Sequence, residues 1–383
     1  MVAGTTLIRE RWKAALGVDD AQFIAGTRHA DFDEPGTTAA TGRLPAGSIV
    51  ANTRCVPQLP GDPSRAERSA ATCSLWRSGD ELSAVRAREP IDLGAFADGS
   101  LTLEELHAGT GAIGNIAGWW LDEVWDFVRL LPEQLTADIT RRIDRDRLAI
   151  GAPEHSTVIG SHPVVVQGTV EPHVVFDASA GPILVGPGSE VRAFTRLSGP
   201  CYVGRDAHIL GGEISACSIG DVCKARGEIS NTIFIGHSNK GHDGFVGHSY
   251  LGRWVNIGAG TITSNLKNTY GNVSLWTPSG VRDTGMQFLG TMFGDHVKTG
   301  IGLRLTTGTV IGAGANVYGS MPPKTVAPFS WGDAPNYTAY RADKFVETAA
   351  RMMARRHVEL SARAHRHLTA VHAARWTVEV DAS

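Results

Sequence analysis

Between Gly236 and Lys267 the chain reads GHSNKGHDGFVGHSYLGRWVNIGAGTITSNLK, with histidines at 237, 242 and 248 and asparagines at 256 and 265. An imidazole can take up or release a proton near neutrality. Polar groups able to do chemistry are thus planted among short aliphatic-glycine steps such as Val246-Gly247, Leu251-Gly252 and Ile257-Gly258. The blander alternative is that each histidine only hydrogen-bonds across a turn of the scaffold that carries it.

That scaffold has a period of its own. Val185, Val191, Leu197, Val203 and Ile209 recur at a six-residue interval, with small or polar residues between them. Neither an amphipathic helix nor an alternating strand has this period. A hexapeptide coil does: each unit makes one short flat side, and about three units close a turn of a parallel β-helix. One turn cannot bury its own apolar face, so stacking of neighbours supplies the core. A run of buried strands in an ordinary parallel sheet is the alternative, and it lacks the helical spacers it would need.

Composition narrows the partners. The chain has 383 residues, 42% of them hydrophobic, enough for two or more domains with real cores. A net charge of -3, from 36 basic and 39 acidic residues, gives no global drive toward nucleic acid or an anionic membrane. Cys55, Cys73, Cys201, Cys217 and Cys223 have no CxxC spacing and read as reduced thiols of a cytoplasmic protein. No signal pattern opens the chain, and no apolar run is long enough to cross a bilayer.

Three domains are expected: an α/β region over 1–153, the coil over 154–328, and an extension with an amphipathic helix over 329–383. In the first, a helix is predicted over Thr5 to Leu16 with Thr6 as cap, a strand at Gly47 to Val50, and helices over Glu123 to Leu131, closed by Pro132, and Glu133 to Arg147. Trp119, Trp120 and Trp125 are expected to cluster in a core or packing surface. The coil is predicted to leave its path at Asn268 to Asp283 and to end at Pro322, Pro323 and Pro328. Beyond it, Phe345, Ala349, Met352, Met353, Leu360, Ala364, Leu368 and Val371 fall on one helical stripe opposite Arg351, Arg355, Arg363 and Arg366. That stripe is expected to pack on the coil or on a sister subunit.

The run Asn256-Ile257-Gly258-Ala259-Gly260-Thr261-Ile262-Thr263, followed by Ser264 and Asn265, is similar to the acetyltransferase domain of the bifunctional glucosamine-1-phosphate acetyltransferase and N-acetylglucosamine-1-phosphate uridyltransferase. Matching pieces cover about Ile183 to Asp333. Leu7-Ile8-Arg9-Glu10-Arg11-Trp12, Gly294 to Gly300 and Phe329-Ser330-Trp331-Gly332 resemble a divergent bacterial branch of sugar nucleotidyltransferase-acyltransferases. The resemblance implies a homotrimeric left-handed β-helix, an exception to the usual crossover hand. It also implies acetyl-CoA and a small sugar phosphate as partners. Aligned on Asn256, it puts the catalytic histidine at His242, sugar-side amides at Asn256 and Asn265, and the coenzyme A groove at Ala259, Thr291 and Ala313.

The chain also departs from that pattern. The family's tyrosine is Phe245 here, its phosphate-gripping lysine and arginine meet Ser230 and Ser198, and a late coenzyme A arginine is Trp331. Arg192, Arg196, Lys224 and Arg226 are the candidates to hold the phosphate instead. The family's opening glycine-rich loop, which cradles nucleotide phosphates, has only Ala3-Gly4-Thr5-Thr6 as a counterpart, so a truncated or degenerate nucleotidyltransferase-like domain is expected. Magnesium would enter only if that domain is active, with Asp122 and Asp126 as possible ligands against the ordinary role of acids near a helix start.

Acyl transfer to an amine needs a base, because a protonated amine is no nucleophile; His242 is the expected base. A non-enzymatic reading, in which both domains only scaffold other proteins, stands beside two enzymatic alternatives. One is a sugar-1-phosphate nucleotidyltransferase whose β-helix only oligomerises. The other is a zinc site of gamma carbonic anhydrase type using His237, His248 or His296; residues six apart lie on different sides of a coil, so His242 and His248 would not meet within one chain.

Overall fold

The computed structural model describes residues 1–24, 31–32, 39–61, 63–106 and 111–375. Packing divides the chain into two compact units, one built on Met1, residues 6–124 and 360–374, the other on residues 2–5 and 125–359.

In the first unit a four-stranded sheet runs in the order Ile49–Ala51, Glu81–Arg86, Cys73–Ser78 and Ala112–Asn115, its last pair parallel and the others antiparallel. Helices α1 (Ile8–Leu16) and α2 (Pro63–Thr72) accompany it, with a short α3 (Gly94–Ala97). Leu75, Trp76, Ala84 and Val85 are buried in this unit, as are Trp12, Cys55 and Val56. Arg11 is fully buried as well: its Nη1 donates to Pro57 O at 3.0 Å and its guanidinium lies 5.8 Å over Trp119. Thr6 does not cap α1. The cap position is the extended Leu7, which makes no side-chain cap bond, because Thr6 is already in a strand.

The second unit is a parallel solenoid. Along face A, Val164–Val166, Ile183–Val185, Cys201–Val203, Ser218–Ile219, Ile233–Phe234, Tyr250–Leu251, Thr291–Phe293, Thr309–Ile311 and Thr325–Val326 stack in that order. Chain order within a turn runs from face A to face B and then face C. Face B stacks Glu190–Val191, the start of His208–Ser215, the start of Lys224–Ser230, and Asn239–Lys240. Face C stacks Val175–Ala178, Thr195–Ser198, the ends of those same two long strands, and Phe245–Gly247. The six-residue series points inward throughout: Val185, Val191, Leu197, Val203 and Ile209 are each no more than 1% exposed. Burying such side chains contributes about 1.5–3 kcal/mol apiece, and stacked parallel strands satisfy the backbone between turns.

Where turns shorten, glycine is obligatory. Gly212, Gly227 and Gly244 follow one another at one corner with φ of +98°, +97° and +135°, and a Cβ on each would stand 2.4, 2.6 and 2.4 Å from a backbone oxygen of the next turn.

Several elements pack onto face A. Helix α4 (Asp126–Arg129) brings Phe127 against Tyr250 at 5.1 Å, and α5 (Leu131–Asp146) brings Arg142 over Tyr202 at 5.1 Å. Pro132 opens α5 in its first turn instead of closing a preceding helix, since a missing N–H costs nothing there. Thr5 donates through N and Oγ1 to Asp138 of α5, at 2.8 and 3.1 Å. The three tryptophans take separate roles: Trp119 faces Arg11, Trp120 Nε1 donates to Ser78 O at 3.2 Å, and Trp125 packs with Val128, Val273 and Leu289.

The excursion is longer than expected, closed by a Leu266–Phe288 bridge and containing the antiparallel hairpin Ser274–Thr277 with Gly280–Asp283. The prolines do not end the coil. Thr325–Val326 still pairs with face A, and Ser330–Asp333 pairs in parallel with Asn316–Tyr318. The expected single C-terminal helix is two, α6 (Ala342–Ala354) in the solenoid unit and α7 (Ala362–Ala373) in the first unit. The break includes His357 at φ +58°, a left-handed residue that no helix continues through.

Candidate functional site

Three corners join the faces, and each has a distinct chemistry. At the A/B corner, His237 stacks on Trp254 (4.2 Å), Trp254 on His296 (6.4 Å), and Phe345 of α6 closes on His296 (5.7 Å). Burial pushes His237 down to about 4 and His296 to about 3, with Arg253 and Arg356 adding to the first and Lys298 to the second. These rings are neutral packing elements at physiological pH. Arg356, just past α6, straps the same corner, donating to Asn239 Oδ1 at 2.7 Å and to Val222 O at 3.4 Å.

At the C/A corner, His248 lies between two amides 17 residues to either side: Asn231 Nδ2 is 3.0 Å from Nε2 and Asn265 Nδ2 is 2.9 Å from Nδ1. Phe288 of the excursion stacks on the ring at 5.3 Å. Burial pushes His248 down to about 4. Both ring nitrogens are engaged, so this imidazole is held rather than free to carry a proton. Asn231 was not singled out from the sequence, although its equal spacing with His248 and Asn265 is the signal that finds it.

The B/C corner is different. His242 and Asp243 are exposed between Gly241 and Gly244. Below them Arg226 holds Asp243 (Nε to Oδ1, 2.9 Å) and the Leu210 carbonyl (2.6 Å). Above them Gly260 N donates to Asp243 O at 2.9 Å, which sets Ala259 over His242, and Gly302 N donates to Ala259 O at 2.7 Å. Ile301, beside Gly302 on that next turn, is 80% exposed. The corner is therefore basic below His242 and smooth or apolar above it.

The other residues singled out from the sequence distribute around the coil. Asn256 is on face B, bridged to Asn239 and Lys298, with Asn239 Nδ2 3.3 Å from its Oδ1. Lys224 pairs with Asn239 in the same outward row, and Arg192 is exposed at the B/C corner two turns below Arg226. His242, Asn256, Ala259, Lys224, Arg226 and Arg192 thus share one corner and its adjoining face. Arg196 is on face C, paired to Asp177 at 2.5 Å. Asn265 is at the C/A corner, Thr291 is fully buried on face A, and Ala313 accepts from Phe329 N at 2.8 Å beyond face A. Within one chain these last three are not gathered with His242.

Asp122 forms a 2.6 Å ion pair with Arg54, and the buried Asp126 pairs with Arg129 at 2.8 Å. Among the described residues no three His, Cys, Asp or Glu side chains are grouped to hold a metal ion, and no helix is long and apolar enough to cross a membrane. The five cysteines are buried free thiols, and burial raises Cys201 and Cys223 to about 12.

No protein-family profile matches the chain. Among curated proteins it is 33% identical over 91 residues to a bifunctional sugar-1-phosphate nucleotidylyltransferase/acetyltransferase of Sulfurisphaera tokodaii, 24% of this chain and 23% of that one. It is 26% identical over 191 residues to the bifunctional protein GlmU of a Synechococcus strain, covering 48% of this chain and 33% of the relative. The GlmU of Desulfitobacterium hafniense is 32% identical over 166 residues, 40% of this chain and 33% of its own. The chain spans about a third or less of the length of these relatives.

Among solved structures, a hexapeptide transferase family protein from Anaplasma phagocytophilum aligns with 52% of this chain and 93% of its own at 13% identity and a TM-score of 0.28. AntD, an N-acyltransferase from Bacillus cereus, aligns with 52% of this chain and 91% of its own at 16% identity and a TM-score of 0.23. Over about a quarter to a half of its length, then, the chain is similar to bifunctional sugar-1-phosphate nucleotidylyltransferase/acetyltransferases of the GlmU type, and it carries a hexapeptide-type solenoid.

Proposed function

We propose that the chain is an acyl-CoA-dependent N-acetyltransferase acting on an amino sugar-1-phosphate, working as a homotrimer in the cytoplasm. The observation that supports it best is the exposed His242 on the B/C corner, under Ala259 and beside Asn239 and Asn256. The chain's own described elements instead cover the other two corners and face A.

In this reading the His242 imidazole takes a proton from the ammonium of the acceptor, and the freed amine attacks the thioester carbonyl of acetyl-CoA. As the C–N bond forms, the acyl-bearing nitrogen gives up a second proton to solvent; the C–S bond breaks, and the coenzyme A thiolate leaves with the proton that the imidazolium returns. Asn256 orients the sugar, and Lys224, Arg226 and Arg192 meet the phosphate below the corner, with Arg196 a further cation on face C. Ala259 and Ile301 give a smooth wall to the pantetheine arm. Thr291, fully buried on face A, and Asn265, held to His248 beside Phe288, have no part in this site, and Ala313 takes part only through a neighbouring subunit.

A thermal-shift comparison tests the reading, since a ligand that binds only the folded state raises its melting temperature. Acetyl-CoA and an amino sugar-1-phosphate are expected to raise it. A response confined to a nucleoside triphosphate with magnesium would favour nucleotidyl transfer, and no response to any of them would leave a scaffold.

A further inference from the structure

The face-B strand that turns Asn239 outward turns Lys240 inward. Lys240 has no exposed surface and is in register with Ala225 on the turn below, which is in register with Ile209. Ile257, on the turn above, is 2% exposed. A charged amine in such an apolar shaft is costly unless it finds an acceptor.

Lys240 finds one at the B/C corner, where its Nζ donates to the carbonyl oxygen of His242. The ammonium sits under Gly244, 3.1 Å from where a Cβ of that residue would be. The corner itself has little else to fix it. Gly241 and Gly244 have no side chains, and His242 and Asp243 project into solvent. Arg226 and Gly260 hold Asp243. Among the described hydrogen bonds, the one on residue 242 is the one from Lys240.

We propose that Lys240 is a positioning residue for His242: its ammonium, threaded through the solenoid interior, draws the 242 carbonyl inward and so turns the imidazole out over the corner. This rests on His242 being the base. Lys240 is not in contact with the reacting atoms and acts through His242 alone.

The charge on this tether is within experimental reach. Burial pushes Lys240 down to about 8, with Asp243 acting against the shift. The groups facing it are Asp243 with its partner Arg226, and His242 itself. Deprotonation leaves an amine that still donates, but without the charge assistance that makes such bonds strong.

Lys240→Met keeps the length and apolar contacts and removes the tether. It is expected to lower kcat about ten- to a hundredfold, the usual cost of a misplaced catalytic group, with KM for acetyl-CoA within about twofold and the melting temperature unchanged or higher because a buried charge is gone. An unchanged kcat in the folded variant overturns the proposal.

The second test does not depend on activity. In wild-type protein the backbone amides of residues 242 and 243, followed by NMR from pH 7 to 10, should move with a midpoint near 8 that coincides with the Lys240 Nζ titration. If the 242 and 243 signals do not follow Lys240, the tether is refuted whether or not Lys240→Met folds. If they do follow it and no acyl transfer is found, the tether stands and the assignment of the base falls.

Discussion

Replacing Gly227 by alanine tests the stacking of short turns at the corner that carries His242. At φ +97° an alanine is strained, and its Cβ would stand 2.6 Å from Gly244 O and 3.1 Å from Gly244 N, both backbone atoms that cannot swing away. Left-handed backbone costs an L-residue about 1–2 kcal/mol, and forcing an extra methyl into a filled space costs about 1–3 kcal/mol more. The sum is about 2–5 kcal/mol. Gly302 is the control: it has φ +66°, and nothing lies within 4 Å of an added Cβ. Gly302→Ala should therefore show the backbone cost alone, about 1–2 kcal/mol. Measured by thermal unfolding, at roughly 2–4 °C per kcal/mol for a unit of this size, Gly227→Ala should melt well below Gly302→Ala. It should also show faster amide exchange across the 227 and 244 turns. Equal melting temperatures would refute the reasoning that turn contact makes glycine necessary there.

Further predictions follow from the corners and the core. His237, His248 and His296 stay neutral in the folded protein but bind protons once unfolded; stability should therefore fall as pH drops from about 6.5 toward 4, fall less steeply on to about 3, where His296 takes up its proton, and level off below that. The expected slope is up to ~1.4 kcal/mol per pH unit for each histidine, read by denaturant unfolding across that window. Asn265→Leu leaves Nδ1 of His248 without its amide and should cost about 1–3 kcal/mol in the same assay, with a smaller loss for Asn265→Gln. Phe176→Ala empties a fully buried position between turns and should cost about 3–5 kcal/mol. Arg226→Ala breaks a solvent-exposed pair with Asp243 and should change stability by no more than about 1 kcal/mol, while raising KM for the phosphorylated acceptor.

The solenoid was readable because its inward residues are a run of aliphatics at one interval, from Val185 to Ile209, and burial repeats with the same interval. That reading loses its footing where turns contract. Successive inward positions on face B are Val191, Ile209, Ala225 and Lys240, unequally spaced, so nothing in the sequence marks Lys240 as interior. Pro322, Pro323 and Pro328 looked like terminators because proline lacks an N–H. Between coil strands that loss is harmless, and Thr325–Val326 continues the stack. The C-terminal stripe has helical spacing across its whole length, yet a left-handed His357 divides it between two units, a tertiary outcome that periodicity does not carry. At the candidate site, single residues were legible but their grouping was not. Asn256 and Asn265 are close in sequence, yet one faces the His242 corner and the other engages His248 across the coil.

The most direct measurement is the rate of acetyl transfer from acetyl-CoA to an amino sugar-1-phosphate by the wild-type protein and by His242→Ala, with oligomeric state and circular dichroism recorded for both. Measurable turnover is expected in the wild type and a loss of about a hundredfold or more in the variant, with assembly and secondary structure unchanged. Equal turnover in the two proteins would remove His242 as the base.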